Sequence, residues 1–183
     1  MNKKYKKLDN IWVVVAGTGR NVGKTTLMEM LIERMAERYK VVALKTSVLR
    51  PDEKMFHGNH RMAEPDEFFL LEETGKNIQK DSGRFLTAGA DRSFFLSIGE
   101  NKVLEALRAF EQFIGKRHIV LAESNVLPFI IDPAVLIVVR DEQLKKRSSE
   151  ILLKQADYVV NKMDRKAFKM IVEAVLERIG SLF

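Results

Sequence analysis

A glycine-rich run between a strand-like segment and a helix-like segment is the part of this sequence best suited to bind phosphate. The apolar run 11–16 precedes it, and the helix-periodic residues 27–39 follow it. The run itself comprises Gly17, Thr18, Gly19, Arg20, Asn21, Val22, Gly23, Lys24, Thr25 and Thr26. Successive backbone N–H groups of such a loop, together with the positive end of the next helix, can wrap the β- and γ-phosphates of a nucleoside triphosphate.

The spacing assigns chemical roles within this loop. Lys24 would reach the β- and γ-phosphate oxygens, and the Thr25 hydroxyl would bind Mg²⁺. In the common pattern G-x-x-x-x-G-K-S/T the first glycine would fall where this chain has Thr18, so the pattern fits only from Gly17 with one extra residue. We predict a variant phosphate-binding loop, and an ordinary glycine-rich turn is the alternative.

A second motif, Asn161-Lys162-Met163-Asp164, follows the short apolar run 158–160. A carboxylate can accept two hydrogen bonds from N1–H and the exocyclic amine of guanine, an edge that adenine does not present. Asp164 would take that role, with Asn161 at the other edge of the base and the Lys162 stem packed along it. The alternative is a polar turn in which Asp164 caps the last helix.

Three charged residues stand at or near the ends of predicted elements. Glu123 follows the apolar run 118–122, and its carboxylate could hold Mg²⁺, position an attacking group, or simply be an exposed acid. Lys45 ends the second apolar run and could bind phosphate or an anionic substrate, or extend into water. Asp81 could be a second Mg²⁺ ligand or a helix N-cap, and spacing alone favours the cap.

Alternating apolar and helix-periodic segments must position these residues. We predict strands at 11–16, 41–45, 94–98, 118–122, 134–139 and 158–160, and helices at 24–38, 66–73, 82–88, 101–114, 142–155 and 165–179. Such alternation is typical of an α/β fold with three layers, a mostly parallel sheet carrying helices on both faces. The irregular segment 47–65 would form a long loop after the second strand.

Length and composition suit a single domain, since 183 residues with 46% hydrophobic content can build a substantial core. We place a flexible basic tail at 1–10 and the domain at 11–183. No apolar run approaches the length of a membrane span, so we expect a cytoplasmic protein without a membrane partner. Much of the net charge of +6 lies in that tail, and stacking motifs are lacking, which disfavours a nucleic-acid partner.

Four segments together resemble the SIMIBI class of P-loop NTPases, and within it the molybdopterin-guanine dinucleotide biosynthesis protein B family. These segments are 17–27, 43–46, 80–84 with 88–90, and 121–123. The third is the most specific, because that family carries G-K-D-S-x-R followed by A-G-A at this spacing. The resemblance implies that Asp81 is a metal-site or switch residue and that Arg84 contacts the nucleotide.

This resemblance also implies an activity. It indicates a Mg²⁺-dependent GTP-binding protein with slow GTPase activity, acting as a homodimer and as an accessory to another protein of molybdenum-cofactor biosynthesis. Lys24, Glu123 and Asp81 would then serve catalysis, and Thr25, Asp81 and Glu123 would hold the metal. GTP is the expected nucleotide, and ATP remains an alternative.

Two other functions stay open from the sequence. The phosphate loop is similar to that of dethiobiotin synthetase, which implies an ATP-dependent kinase or ligase with Lys45 holding an acid or carbamate. A metal-insertion GTPase would use His57 and His60, which stand three residues apart in the irregular segment. The chain contains no cysteine to complete such a metal site, so this third function is the least favoured.

Overall fold

The computed structural model describes residues 8–49, 63–75, 81–143, 147–162 and 164–183. It confirms the predicted fold class, a three-layer α/β structure with a mostly parallel sheet. The strands are β1 (Ile11–Gly17), β2 (Val41–Leu49), β3 (Phe68–Glu73), β4 (Arg92–Gly99), β5 (Ile119–Glu123), β6 (Val135–Arg140) and β7 (Tyr158–Asn161). The helices are α1 (Lys24–Ala36), α2 (Asp81–Thr87), α3 (Val103–Ile114, preceded by a 3₁₀ turn at Glu100–Lys102), α4 (Leu127–Ile130), α5 (Arg147–Gln155) and α6 (Arg165–Gly180).

The order of strands in the sheet is β3-β4-β2-β5-β1-β6-β7. Neighbours pair in parallel except for β3 and β4, which are antiparallel. From β1 the chain crosses to β2, towards one edge of the sheet, and from β6 it crosses to β7, towards the other edge. Open α/β sheets bind ligands in the crevice where connections diverge in this way, beyond the carboxyl ends of the strands. The glycine-rich loop after β1 therefore stands at the expected binding edge.

Successive residues of the central strands contribute to two separate cores. Val13 and Val15 of β1 pack on the side covered by α1, α2 and α6, whereas Trp12 and Val14 pack on the side covered by α3, α4 and α5. Because both faces are covered, these strands carry long apolar runs instead of alternating, with charged residues only at or near their carboxyl ends. Pairing places the carboxyl ends of β1, β2 and β5 beside one another.

The predicted helix at 66–73 is wrong, because this segment forms the edge strand β3. It runs antiparallel to β4, with Phe68 opposite Ile98 and Glu73 opposite Ser93. The predicted loop at 47–65 is also wrong at its start, since β2 continues to Leu49 in register with β4. His57 and His60 lie outside the described residues.

Smaller differences concern the ends of elements. Asp9 and Asn10, assigned by sequence to the tail, are held by Glu111 of α3: the Asp9 N–H donates to Oε2 at 2.9 Å, and Asn10 Nδ2 to Oε1 at 3.3 Å. The short helix α4 was not predicted, and α5 begins at Arg147 instead of 142. No helix in the described parts of the chain is long and apolar enough to cross a membrane.

Candidate functional site

In the glycine-rich loop between β1 and α1, the side chain of Lys24 bonds to the loop backbone. Lys24 Nζ donates a hydrogen bond to the Gly19 carbonyl at 2.8 Å, so the ammonium points back towards the loop. Gly23, which caps α1, has a φ of 104°, a left-handed conformation that glycine adopts without strain. Desolvation lowers the pKa of Lys24, although the nearby Glu123 carboxylate opposes this shift. The Lys24 ammonium therefore lies against the loop backbone, in the loop for which the sequence predicts phosphate binding.

Gly17 is required by the close packing at the start of this loop. A Cβ atom there would lie 2.9 Å from Val22 Cγ2 and 3.0 Å from Lys24 Cδ, so any side chain would displace the lysine stem. The Gly17 N–H donates to Asn125 Oδ1 at 2.8 Å. Sequence reasoning missed this role of Asn125, whose only signal was its position just after a strand that ends at the site.

Thr18, the residue that departs from the common pattern, fastens the loop to β6. Its N–H donates to the Val139 carbonyl at 3.0 Å, and its hydroxyl accepts from the Asp141 N–H at 2.8 Å. The side chain is buried, at 4% exposure. The threonine thus supplies a side-chain anchor that glycine at this position would lack.

Four residues from four elements form a continuous polar chain beside the loop. Lys45 of β2 and Glu123 of β5 are register partners, and both lie on the sheet face covered by α1 and α2. Lys45 Nζ lies 2.7 Å from Glu123 Oε1 and 2.6 Å from Asp81 Oδ2. On its other oxygen, Glu123 accepts a hydrogen bond from the Thr25 hydroxyl at 3.0 Å. We call Thr25, Glu123, Lys45 and Asp81 the carboxylate cluster.

The carboxylate cluster is shielded from solvent to different degrees. The side chain of Glu123 is 5% exposed, that of Lys45 24% and that of Asp81 33%. Burial alone would lower the pKa of Lys45, but the charges of Glu123 and Asp81 outweigh it and the pKa is raised. Burial likewise opposes the charge of Asp81, but the Lys45 ammonium outweighs it and the pKa of Asp81 is lowered. Lys45 and Asp81 are therefore both charged at neutral pH.

Arg84, which the resemblance assigns to the nucleotide, pairs with a residue of α1. Its Nε and Nη2 atoms lie 2.8 Å and 2.7 Å from the two carboxylate oxygens of Glu29, a bidentate arrangement. Its Nη1 lies 3.7 Å from Asp81 Oδ1. In this structure Arg84 fastens α2 to α1 through this pair.

The second motif lies at the carboxyl end of β7. Asn161 Oδ1 accepts from Arg140, with Nε and Nη2 at 3.1 Å and 3.0 Å, and Lys162 Nζ lies 2.8 Å from Asp141 Oδ2. Asp164 caps α6, since its Oδ1 accepts from the Ala167 N–H at 2.9 Å. The helix-capping alternative is thus present in the structure.

Asp141 joins this motif to the phosphate loop, a role that sequence reasoning missed. Its backbone N–H donates to Thr18, while its carboxylate holds Lys162. The motif and the loop are therefore adjacent, as the two ends of one bound nucleotide would need. Position alone, directly after β6, was the available signal for Asp141.

The carboxylate cluster offers the oxygen donors that Mg²⁺ prefers. Thr25 contributes a hydroxyl, while Glu123 and Asp81 contribute carboxylates that already converge on one cation, the Lys45 ammonium. Within the described residues no group of three or more His, Cys, Asp and Glu side chains could hold a metal ion. The donor set fits Mg²⁺ that shares its coordination with nucleotide phosphates and water, which is usual for this ion.

No family model, no curated protein and no solved structure matches this chain. The structure does bring the predicted phosphate-loop residues together with Lys45, Asp81 and Glu123. It places Asn161, Lys162 and Asp164 at the neighbouring strand end. Function is therefore inferred from the geometry of the site.

Proposed function

We propose that the protein binds a Mg²⁺–nucleoside triphosphate, GTP in preference to ATP, and hydrolyses it slowly. The observation that carries this proposal is the carboxylate cluster beside the phosphate loop. Thr25, which follows the loop lysine, is bonded to Glu123 at 3.0 Å on the strand next to β1. A glycine-rich turn with no ligand would not require a buried carboxylate at that position, since burying a charge is costly.

Catalysis would consist mainly of positioning and charge neutralisation, as is usual for phosphoryl transfer. Lys24 and the loop N–H groups would neutralise charge on the β- and γ-phosphates. Thr25, Asp81 and Glu123 would hold Mg²⁺, which would supply further charge neutralisation when bound. Glu123, whose side chain is 5% exposed, would also orient the attacking water through its carboxylate.

The preference for GTP is supported by the position of the Asn161–Asp164 motif. It is linked through Asp141 to Thr18 of the phosphate loop, so a nucleotide bound by its phosphates would extend towards it. We expect competitive calorimetry with Mg²⁺ to give at least a tenfold preference for GTP, about 1.4 kcal/mol. Equal binding of both nucleotides would contradict guanine recognition.

One substitution of Asp164 separates base recognition from helix capping. Serine caps helices about as well as aspartate, but its single hydroxyl cannot accept the paired hydrogen bonds of guanine. Asp164→Ser should therefore abolish the GTP preference while leaving unfolding unchanged. If Asp164 acts only as a cap, Asp164→Ser will keep the wild-type ratio of GTP to ATP affinity.

We further propose that the protein acts as a homodimeric accessory factor in molybdenum-cofactor nucleotide attachment. This part rests on the sequence resemblance at 80–84 and 88–90. Light scattering tests the homodimer. GTP-dependent binding to a purified molybdenum-cofactor nucleotidyltransferase tests the accessory role, and binding that is independent of GTP or undetectable would contradict it.

Two observations favour a second function, an ATP-dependent small-molecule kinase or ligase. Asp164 already uses Oδ1 to cap α6, and Lys45 offers a cation that could hold an anionic substrate. This alternative predicts equal or tighter binding of ATP, and ATP turnover that rises when small carboxylic acids are added. GTP-selective binding without such stimulation would exclude it.

A further inference from the structure

The ammonium of Lys45 occupies the point on which the metal-binding carboxylates converge. It lies 2.6 Å from Asp81 Oδ2 and 2.7 Å from Glu123 Oε1. The remaining carboxylate oxygens also face donors, Thr25 on Glu123 at 3.0 Å and Arg84 on Asp81 at 3.7 Å. All four oxygens are thus directed at groups of this chain.

A divalent cation could not join this arrangement without moving the lysine. Mg²⁺ requires oxygen ligands at about 2.0–2.1 Å in near-octahedral geometry. If the Lys45 ammonium stayed between the same two carboxylates, it and the metal ion would lie within a few ångströms of each other. The site is partly desolvated, so the repulsion between these two cations would be only weakly screened. Metal and Lys45 are therefore competitors for Asp81 and Glu123.

The lysine side chain can leave while its backbone stays in place. The backbone of β2 is fixed on both sides, by β5 up to Lys45 and by β4 up to Leu49. The side chain itself is 24% exposed and has four flexible carbons. Lys45 and Lys24 are also close enough for the charge of one to affect the other. A released Lys45 ammonium would thus stay near the place where Lys24 meets phosphate.

We infer that Lys45 is a built-in counter-ion that keeps Mg²⁺ off Asp81 and Glu123 until nucleotide arrives, and then moves to the bound phosphates. The inference rests on the proposed nucleotide binding. It assigns an order to loading, because metal enters only together with a ligand whose negative charge attracts the lysine away. In the free protein, the lysine satisfies two carboxylates that would otherwise repel each other.

The test is Mn²⁺ binding to the nucleotide-free protein, measured by electron paramagnetic resonance. We expect Lys45→Met to bind Mn²⁺ at least tenfold more tightly than the wild type. We also expect added Mg²⁺ to raise the melting temperature of Lys45→Met. Lys45→Gln, which keeps a hydrogen-bond donor, should behave alike and covers the case in which Lys45→Met does not fold. Lys40→Met, the same change at the exposed residue directly before β2, should bind Mn²⁺ as the wild type does.

Two results would overturn this inference. One is equal Mn²⁺ affinity in the wild type and both Lys45 variants. The other is a gain in affinity that survives when Asp81→Asn is combined with Lys45→Gln, since the metal would then be bound elsewhere. Failure of the wild type to bind any nucleotide would instead refute the proposed function, and the nucleotide-free Mn²⁺ titration would still decide the role of Lys45.

Discussion

The phosphate end and the base end of the proposed nucleotide site are built differently. At the phosphate end, Glu123 is 5% exposed, and the residues of the carboxylate cluster come from four different elements. At the base end Arg140 is 40% and Lys162 42% exposed, and Asp141 is the less exposed partner at 13%. The phosphate end is an interlocked cluster of charges, whereas the base end is a set of separate pairs with exposed cations.

Because of this difference, we expect the phosphate end to determine nucleotide affinity and the base end to determine nucleotide selectivity. Charges that are weakly screened by solvent interact strongly, so removal of one partner leaves the other charge unbalanced. Exposed pairs contribute little to folding and can exchange partners readily. We therefore expect substitutions at the phosphate end to affect binding and stability together, and substitutions at the base end to affect the choice of nucleotide with little change in stability.

The largest effect is expected for Lys24→Ala. It removes the cation that would face the phosphates of the proposed nucleotide, so nucleotide affinity should fall by at least about 100-fold, roughly 2.7 kcal/mol. Calorimetry with GTP and Mg²⁺ measures the change. The matched control is Lys40→Ala, an exposed lysine, which should bind as the wild type does. Normal nucleotide binding by Lys24→Ala would remove the basis for a phosphate-binding loop.

A pair of Glu→Gln substitutions compares the two ends directly. Glu123→Gln takes a charge from the Lys45 ammonium and should lower the free energy of unfolding by about 2 kcal/mol, the scale of hydrogen bonds to charged groups. Glu142→Gln makes the same change in an exposed pair with Arg140 and should stay within about 0.5 kcal/mol. Urea unfolding measures both. Equal losses would show that burial does not distinguish the two ends.

The smallest effect is expected from capping at Asp164. Asp164→Ala removes the acceptor for the Ala167 N–H and should cost about 1 kcal/mol, whereas Asp164→Ser should cost almost nothing. Thermal unfolding without nucleotide measures both variants. A loss in Asp164→Ser as large as that in Asp164→Ala would mean that its carboxylate has a structural role beyond the cap.

The fold was largely predictable because the central strands are continuous apolar runs with helical segments between them. The segment at β3 was not, because Phe68, Phe69, Leu70 and Leu71 are apolar in succession and show no strand alternation. On this edge strand Phe68 and Leu70 pack into one core, while Leu71 is 44% exposed on the other face. Local pattern therefore could not distinguish a strand from a helix, and pairing with β4 decided it.

The site was predictable only where its residues are contiguous. The phosphate loop appears as one run, and Glu123 and Lys45 as charges that end apolar segments. That these two are direct partners depends on the register of β2 with β5, across 78 positions of sequence. Asn125 and Asp141 were missed for a related reason. Asn125 accepts from the Gly17 N–H and the Asp141 N–H donates to Thr18, and in both pairs the partners are more than 100 positions apart in the sequence.

The extension of β2 beyond Lys45 has a consequence for how this chain can vary. Leu49 pairs with Gly99, and the Ala63 N–H donates to Ser97 at 2.9 Å, so the chain leaves and re-enters at the same end of β4. The entropic cost of closing a chain segment between two fixed ends grows only logarithmically with its length, by about 0.6 kcal/mol per doubling. Because Leu49 and Ala63 are both fixed to β4, we expect that the number of residues between them can change at small thermodynamic cost without disturbing the carboxylate cluster.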